Sequence, residues 1–429
     1  MKYAQIANGL FIDNRHKFKN HMRPNSLAVF FSNDIMPTNA DGAMGFKQNN
    51  DLFYLTGIDQ EDTILVIFPD VKDGKHTEVL FIKETSELIA IWEGAKLTKE
   101  QATEVSGIRN VYWYTEFDKV FKTFVFQAEN FYLNSNEHTR RSIDTQSAED
   151  RFNQKLRVTY PLHTIYRSAP IMHKIRAIKS AYEIELIQKA CDITEKGFRR
   201  LLSFVKPGVN ECEIEAELIH EFIRNKSKGF AYGPIIASGK NACVLHYVEN
   251  DKECKAGDVI LLDVAAEYAN YASDLTRVLP VGGKFTKRQK EVYNAVLHVK
   301  NEATKLLVQG NTFEKYNKAV GDLMTEQLLK LGLLKSDDVK NQNPAWPAYK
   351  KYFMHGTSHF LGLDVHDVGF FYEPMQAGMV FTVEPGIYIP EENLGIRLED
   401  DVLVTTGDPI NLMKNIPIEA DEIEVLMNK

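Results

Sequence analysis

The chain lacks any apolar run approaching the ~18 residues of a membrane span, so no spanning helix is expected. It has only four cysteines, at 191, 212, 243 and 254, and none form a C-x-x-C pair. A chain of 429 residues needs no disulfide staples, so reduced thiols and a cytoplasmic location are expected. The first twenty residues, MKYAQIANGLFIDNRHKFKN, carry no apolar signal-peptide core. Neither charge sign dominates: 51 basic residues stand against 59 acidic ones, a formal net charge of -8. That balance argues against nucleic acid as the main partner. There is no low-complexity segment, and 44% hydrophobic with 26% charged residues excludes whole-chain disorder or a coiled coil.

The length predicts two domains. Within 1–172, the runs LAVFF (27–31), TILVIF (63–68) and EVLFI (78–82) read as strands separated by turn-rich pieces, which predicts an α/β domain. Ser168-Ala169-Pro170 breaks the pattern, and a second domain is placed over 173–429. Ser180 and Glu183 have capping-box spacing, followed by Ile184, Ile187, Cys191, Thr194, Phe198, Leu201 and Val205 on one helical face. Asn210 and Glu213 open another helix, and two more are predicted over 287–309 and 313–331, closed by Gly310 and Gly332. At an offset of 121 residues, AGDVILLDV (256–264) aligns with AGMVFTVEP (377–385), so that Asp263 and Glu384 fall at the same relative place. The second domain is therefore read as α+β, built from two related halves, each with helices and an antiparallel hairpin.

Carboxylates in apolar strands need partners. Asp263 lies in VILLDVAA and Asp274 in ASDLTRVLP; a hairpin tip at Tyr268-Ala269 would place the two opposite each other. Such a pair repels unless it shares a proton or cations. Glu384 and Glu399 repeat the arrangement around a turn at Glu391-Glu392-Asn393. Each acid also has a plainer reading, a hydrogen-bonded structural Asp for Asp263 and a solvated edge for Leu398-Glu399-Asp400-Asp401. His246, His355, His359 and His366 cluster in the same half of the chain; HGTSH lacks the acid of H-E-x-x-H, which removes the zincin reading. Four acids with an imidazole form an oxygen-rich donor set suited to Mn²⁺, with Zn²⁺, Co²⁺ or Fe²⁺ as alternatives. Two divalent ions would cancel the charge of four carboxylates.

Several segments carry a resemblance to a known family. NACVLHYVEN (241–250), VILLDVAAEYANYASDLTRVLPV (259–281), YFMHGTSHFLGLDVHDVG (352–369), MVFTVEPGIYIP (379–390) and GIRLEDDVLV (395–404) together resemble the pita-bread metallopeptidases of the two-domain aminopeptidase P type. QNNDLFYLTGI (48–58) resembles the N-terminal domain of that type. The resemblance implies an α+β pita-bread catalytic domain with a pseudo-twofold repeat, behind an α/β N-terminal domain. It implies two metal ions held by Asp263, Asp274, His359, Glu384 and Glu399, with Asp274 and Glu399 bridging and Glu384 also taking a proton from the nucleophile. His246, His355 and His366 would hold substrate and stabilise the tetrahedral intermediate, with Arg397 beside Glu399 and Tyr388 as an active-site tyrosine. Trp92 and Asp41 match N-domain residues that reach an active site in the family. The implied reaction is removal of an N-terminal residue preceding proline, by a homodimer or homotetramer. Prolidase, with the same metal set but confined to dipeptides, is the alternative reading. Metal-free pita-bread binding modules form another class, excluded by the presence of all five ligand types.

Overall fold

A computed structural model of the chain describes residues 3–141 and 144–429, in two compact units, Tyr3–Arg176 and Ala177–Lys429. The first is built on a six-stranded mixed sheet. Its strands are β1 (Ser26–Phe31), β2 (Ile64–Ile67), β3 (Glu78–Ile82), β4 (Asn110–Trp113), β5 (Asn130–Leu133) and β6 (Thr164–Arg167), in the order β4-β3-β2-β1-β5-β6. Both sheet faces are apolar, which is why the strands read as continuous hydrophobic runs rather than alternating ones. Leu27, Val29, Phe31, Val66 and Phe81 face the helix Phe117–Val125, which contributes Phe117, Phe121 and Phe124. On the other face Phe18, from the helix Gly9–Lys19, meets Phe30 edge-on at 5.2 Å.

One buried acid stands out in this unit. Glu149 accepts the Phe31 amide (3.2 Å) and Asn134 Nδ2 (3.1 Å). Burial, with the Asp51 charge nearby, nevertheless pushes its carboxyl up to about 8. A carboxyl whose folded pKa is raised favours the folded state fully below its unfolded pKa. That contribution disappears as pH rises through about 8. Glu149→Gln should therefore gain stability relative to the parent chain as pH climbs from about 4.5 to about 8, by up to ~1.4 kcal/mol per pH unit. Thermal unfolding of both proteins across that range checks this, and a stability difference independent of pH would contradict it.

The second unit shows the expected repeat. In the first half, helices Ala181–Phe204 and Glu211–Arg224 precede β7 (Ile235–Ser238), β8 (Val259–Asp263), β9 (Glu267–Tyr268), β10 (Tyr271–Ala272) and β11 (Thr276–Pro280). In the second half, Lys287–Lys305 and Phe313–Lys330 precede β12 (Val380–Val383), β13 (Gly386–Ile389), β14 (Leu394–Arg397), β15 (Asp400–Leu403) and β16 (Ile410–Asn411). The predicted capping box Ser180/Glu183 is formed, and Asn210 with Glu213, expected to open the next helix, forms a second one. Each half has one long hairpin broken in the middle, and the candidate ligands lie at or beside the breaks. Gly257 and Gly378, matched in the repeat, have φ of +88° and +92°, so each half enters its first hairpin strand through a left-handed turn that favours glycine.

The register of the first hairpin differs from expectation. Asp263 pairs with Thr276, because the turn is formed by Ala269 and Asn270, both at positive φ, with Tyr268 paired to Tyr271. Left-handed conformation at both central residues is what a two-residue hairpin turn of primed type requires. Moving the tip by one residue moves the partner of Asp263 by two. In the second hairpin, Val383 pairs with Asp400 and Gly386 with Arg397, so Glu384 and Glu399 come opposite each other at the break, as expected. All four thiols are free, and no helix among the described residues is long and apolar enough to cross a membrane.

Candidate metal centre

Asp274, His359 and Glu399 are buried, and each offers a ligand atom within 4.8 Å of the others. His359 Nε2 is 3.5 Å from Asp274 Oδ2 and 3.5 Å from Glu384 Oε1. The other ring nitrogen, Nδ1, lies 3.0 Å from the Phe360 carbonyl. A carbonyl only accepts, so Nδ1 carries a hydrogen, and in the neutral ring Nε2 then turns its lone pair toward the acids. That tautomer is the one a metal needs.

The acids are costly to leave uncompensated. Burial, with the Asp263 charge beside it, holds the Asp274 carboxyl well above the usual carboxylate range. Burial and the charges of Asp274 and Glu384 do the same to Glu399. Burial raises Glu384 to about 7; His359 opposes that rise and Asp274 adds to it. Mutual repulsion among buried carboxylates around an available imidazole lone pair fits cations at this place. Asp263 closes the cluster on one side, where it accepts Tyr232 Oη (2.6 Å) and Arg397 Nη2 (2.7 Å).

Behind the acids runs a chain of directed hydrogen bonds. Arg397 Nε donates to Thr276 Oγ1 (3.1 Å), and Nη1 to Tyr388 Oη (2.9 Å). His355 Nδ1 faces the Gly356 carbonyl at 2.8 Å and must carry the hydrogen there, so Tyr388 Oη donates to His355 Nε2, 2.8 Å away. Burial, with the Arg397 charge, pushes the His355 imidazole down to about 3, so it is neutral at physiological pH. His366 packs its ring 4.4 Å from that of His359, centroid to centroid. His246 is exposed, and lies near enough to His355 for its charge to disfavour protonation there. Trp92 and Asp41 belong to the N-terminal unit, where Trp92 is 81% exposed on the helix Glu87–Glu93.

Sequence reasoning missed three partners of the acids. Thr276 donates to Glu399 Oε2 (2.6 Å), and Asp401 Oδ2 accepts the Asp274 amide (3.0 Å). Both sit inside motifs already singled out, two residues beyond Asp274 and Glu399. The third, Tyr232, lies in AYGPIIASG, where nothing local signals its role.

Comparison with known proteins agrees with this fold. Residues 185–406 match the model of metallopeptidase family M24, and 11–132 match the N-terminal domain of aminopeptidase P. The chain belongs to metallopeptidase family M24. It is an aminopeptidase dependent on divalent metal ions, with a pita-bread catalytic domain behind an aminopeptidase P-type N-terminal domain. It is 33% identical over 439 residues to the Xaa-Pro aminopeptidase of Escherichia coli, covering 99% of this chain and 98% of that one. Xaa-Pro aminopeptidase 3 of Homo sapiens is 30% identical, covering 93% and 79%. Among solved structures, Zn-substituted E. coli aminopeptidase P in complex with product superposes with a TM-score of 0.88 at 32% identity, covering 99% of each chain.

Proposed function

We propose that the protein is an Xaa-Pro aminopeptidase, hydrolysing the bond between an N-terminal residue and a following proline through a pair of divalent ions, Mn²⁺ foremost. The carrying observation is the convergence of Asp274, His359 and Glu399 in one buried cluster, with Glu384 and Asp263 beside it. These five residues would hold the ions. Bound there, divalent ions supply Lewis-acid polarisation of the scissile carbonyl and an activated water nucleophile. Glu384, 3.5 Å from His359, would take the proton the nucleophile gives up. Neutral His355, fixed by Tyr388 and Gly356, and His366 against His359 would orient the substrate and meet charge developing on it. An X–Pro bond is a tertiary amide with no N–H, which general peptidases handle poorly and which justifies a dedicated site.

The paired state of Arg397 favours an aminopeptidase over a dipeptidase. A strict dipeptidase must recognise the substrate carboxylate near the metals; of the two arginines inside the catalytic motifs, Arg277 is paired with Asp400, which leaves Arg397 as the candidate. Its Nε, Nη1 and Nη2 already donate to Thr276, Tyr388 and Asp263. Lys350 Nζ, close by, donates to the His355 carbonyl (3.1 Å). The test compares kcat/KM for Ala-Pro and for a longer peptide beginning Ala-Pro-Ala. Release of the first residue alone from the longer peptide, at least as fast as from Ala-Pro, is expected. Cleavage confined to the dipeptide would turn the reading to prolidase. Chelator-stripped protein should be inactive on either, and Mn²⁺ should restore it.

A further inference from the structure

Directly behind the ligand cluster is a buried group of charges that the reaction does not use. Arg277, 1% exposed, extends from β11 in the first half of the catalytic unit. Its Nη2 donates to Asp400 Oδ1 at 2.6 Å. Lys300, from the helix Lys287–Lys305, pairs with the other oxygen of the same carboxylate, which also accepts Asn411 Nδ2 at 2.7 Å. Two buried cations thus share one carboxylate. Such an arrangement is costly in desolvation and weak evidence for stability.

The rest of the guanidinium points to a different use. Arg277 Nη1 donates to the backbone carbonyl of Glu399 (2.6 Å) and to that of Thr276 (3.0 Å), and Nε donates to the carbonyl of Pro417 (3.0 Å). The Glu399 amide donates to the Thr276 carbonyl (3.1 Å), and the Thr276 hydroxyl holds the Glu399 carboxylate (2.6 Å). Thr276-Arg277 therefore grips Glu399 at its amide, its carbonyl and its side chain. Glu399 comes from the second half of the catalytic unit, whereas Asp274 precedes β11 in the first. Their ligand atoms share one cluster although both are acids.

We infer that Arg277 is a positioning residue: with Asp400 it straps Glu399 to β11, the strand that Asp274 leads into, so that the two halves present their ligands as one preformed metal site. The inference rests on the reading of Glu399 as a ligand. Lys300 neutralises the strap from behind without touching Glu399.

Two variants separate positioning from mere burial of charge. Arg277→Lys keeps the cation and its pairing with Asp400 but loses the planar fork that also reaches the Glu399 carbonyl. Lys300→Met removes a cation from the same carboxylate and leaves the Arg277 bonds in place. Mn²⁺ is titrated calorimetrically into chelator-stripped protein, with folding checked by circular dichroism. Arg277→Lys should weaken Mn²⁺ binding ~10–100-fold, the usual cost of losing a partner behind a metal ligand. Lys300→Met should bind Mn²⁺ as the parent chain does, even where it lowers the unfolding temperature. At saturating Mn²⁺, the KM of Arg277→Lys for peptide should be unchanged. Parent-like Mn²⁺ affinity in Arg277→Lys would overturn the strap, and so would equal weakening in both variants. Arg277→Gln is read in the same way if Arg277→Lys does not fold. Glu399→Gln tells the two ideas apart. If it binds Mn²⁺ normally, the ligand reading falls. If it loses Mn²⁺ while Arg277→Lys retains it, only the strap falls.

Discussion

Asp274→Ala should yield a folded protein that holds little metal and does not cleave peptides. Asp274 is buried, with Oδ2 3.5 Å from His359 Nε2 and its amide anchored on Asp401. The anchor runs from the Asp274 backbone amide to the Asp401 carboxylate, so the segment keeps its place when the Asp274 side chain is removed. A carboxylate facing both the imidazole and the Glu399 side of the cluster would serve both ions. Its loss should therefore exceed the ~10–100-fold affinity change typical of a residue that only supports a ligand. The stability of the metal-free protein should move the other way. Without metal, Asp274 is a buried acid whose carboxyl is held well above its ordinary range by burial and by Asp263. Deleting it relieves that repulsion. The metal-free variant should unfold at or above the temperature of the metal-free parent. The parent should gain ~2.7 kcal/mol at a free metal concentration a hundred times its Kd, and the variant should not. Metal analysis, turnover and thermal unfolding with and without Mn²⁺ decide this. Parent-like metal content and activity would remove Asp274 from the site.

Elements that depend on local chemistry were legible in the sequence. The capping residues Ser180 and Asn210 each accept a backbone amide at the start of the helix they precede. Strand runs such as 78–82 stand where their hydrophobicity put them. The repeat was visible because both halves need a glycine turn before a strand ending near an acid, as Gly257 and Gly378 show. The first hairpin was harder. Its register depends on whether Tyr268-Ala269 or Ala269-Asn270 takes the left-handed turn, and neither pair is a strong turn signal. Contacts of long sequence separation were not legible. The Arg277–Glu399 strap and the Tyr232–Asp263 bond span 122 and 31 residues, and apart from the functional segments themselves nothing in the local pattern marks them.

The two histidines in contact should respond differently to the same substitution. His359 presents Nε2 to Asp274 and Glu384, with Nδ1–H committed to the Phe360 carbonyl. His359→Ala removes a nitrogen donor from the cluster, and the protein should lose bound metal and, with it, activity. His366 touches His359 through its ring, at 4.4 Å between centroids, from the loop that follows. His366→Ala should retain most of the metal while turnover falls ~10²–10³-fold, the usual loss when one group stabilising transition-state charge is removed. The fall should appear in kcat more than in KM, because such a group acts mainly where charge develops. Metal stoichiometry measured beside kcat and KM for both variants separates the roles. Equal depletion of metal in the two would make His366 a ligand in its own right. Full activity in His366→Ala would leave the handling of developing charge to His355 and Arg397, which the hydrogen bonds of Tyr388 join into one unit.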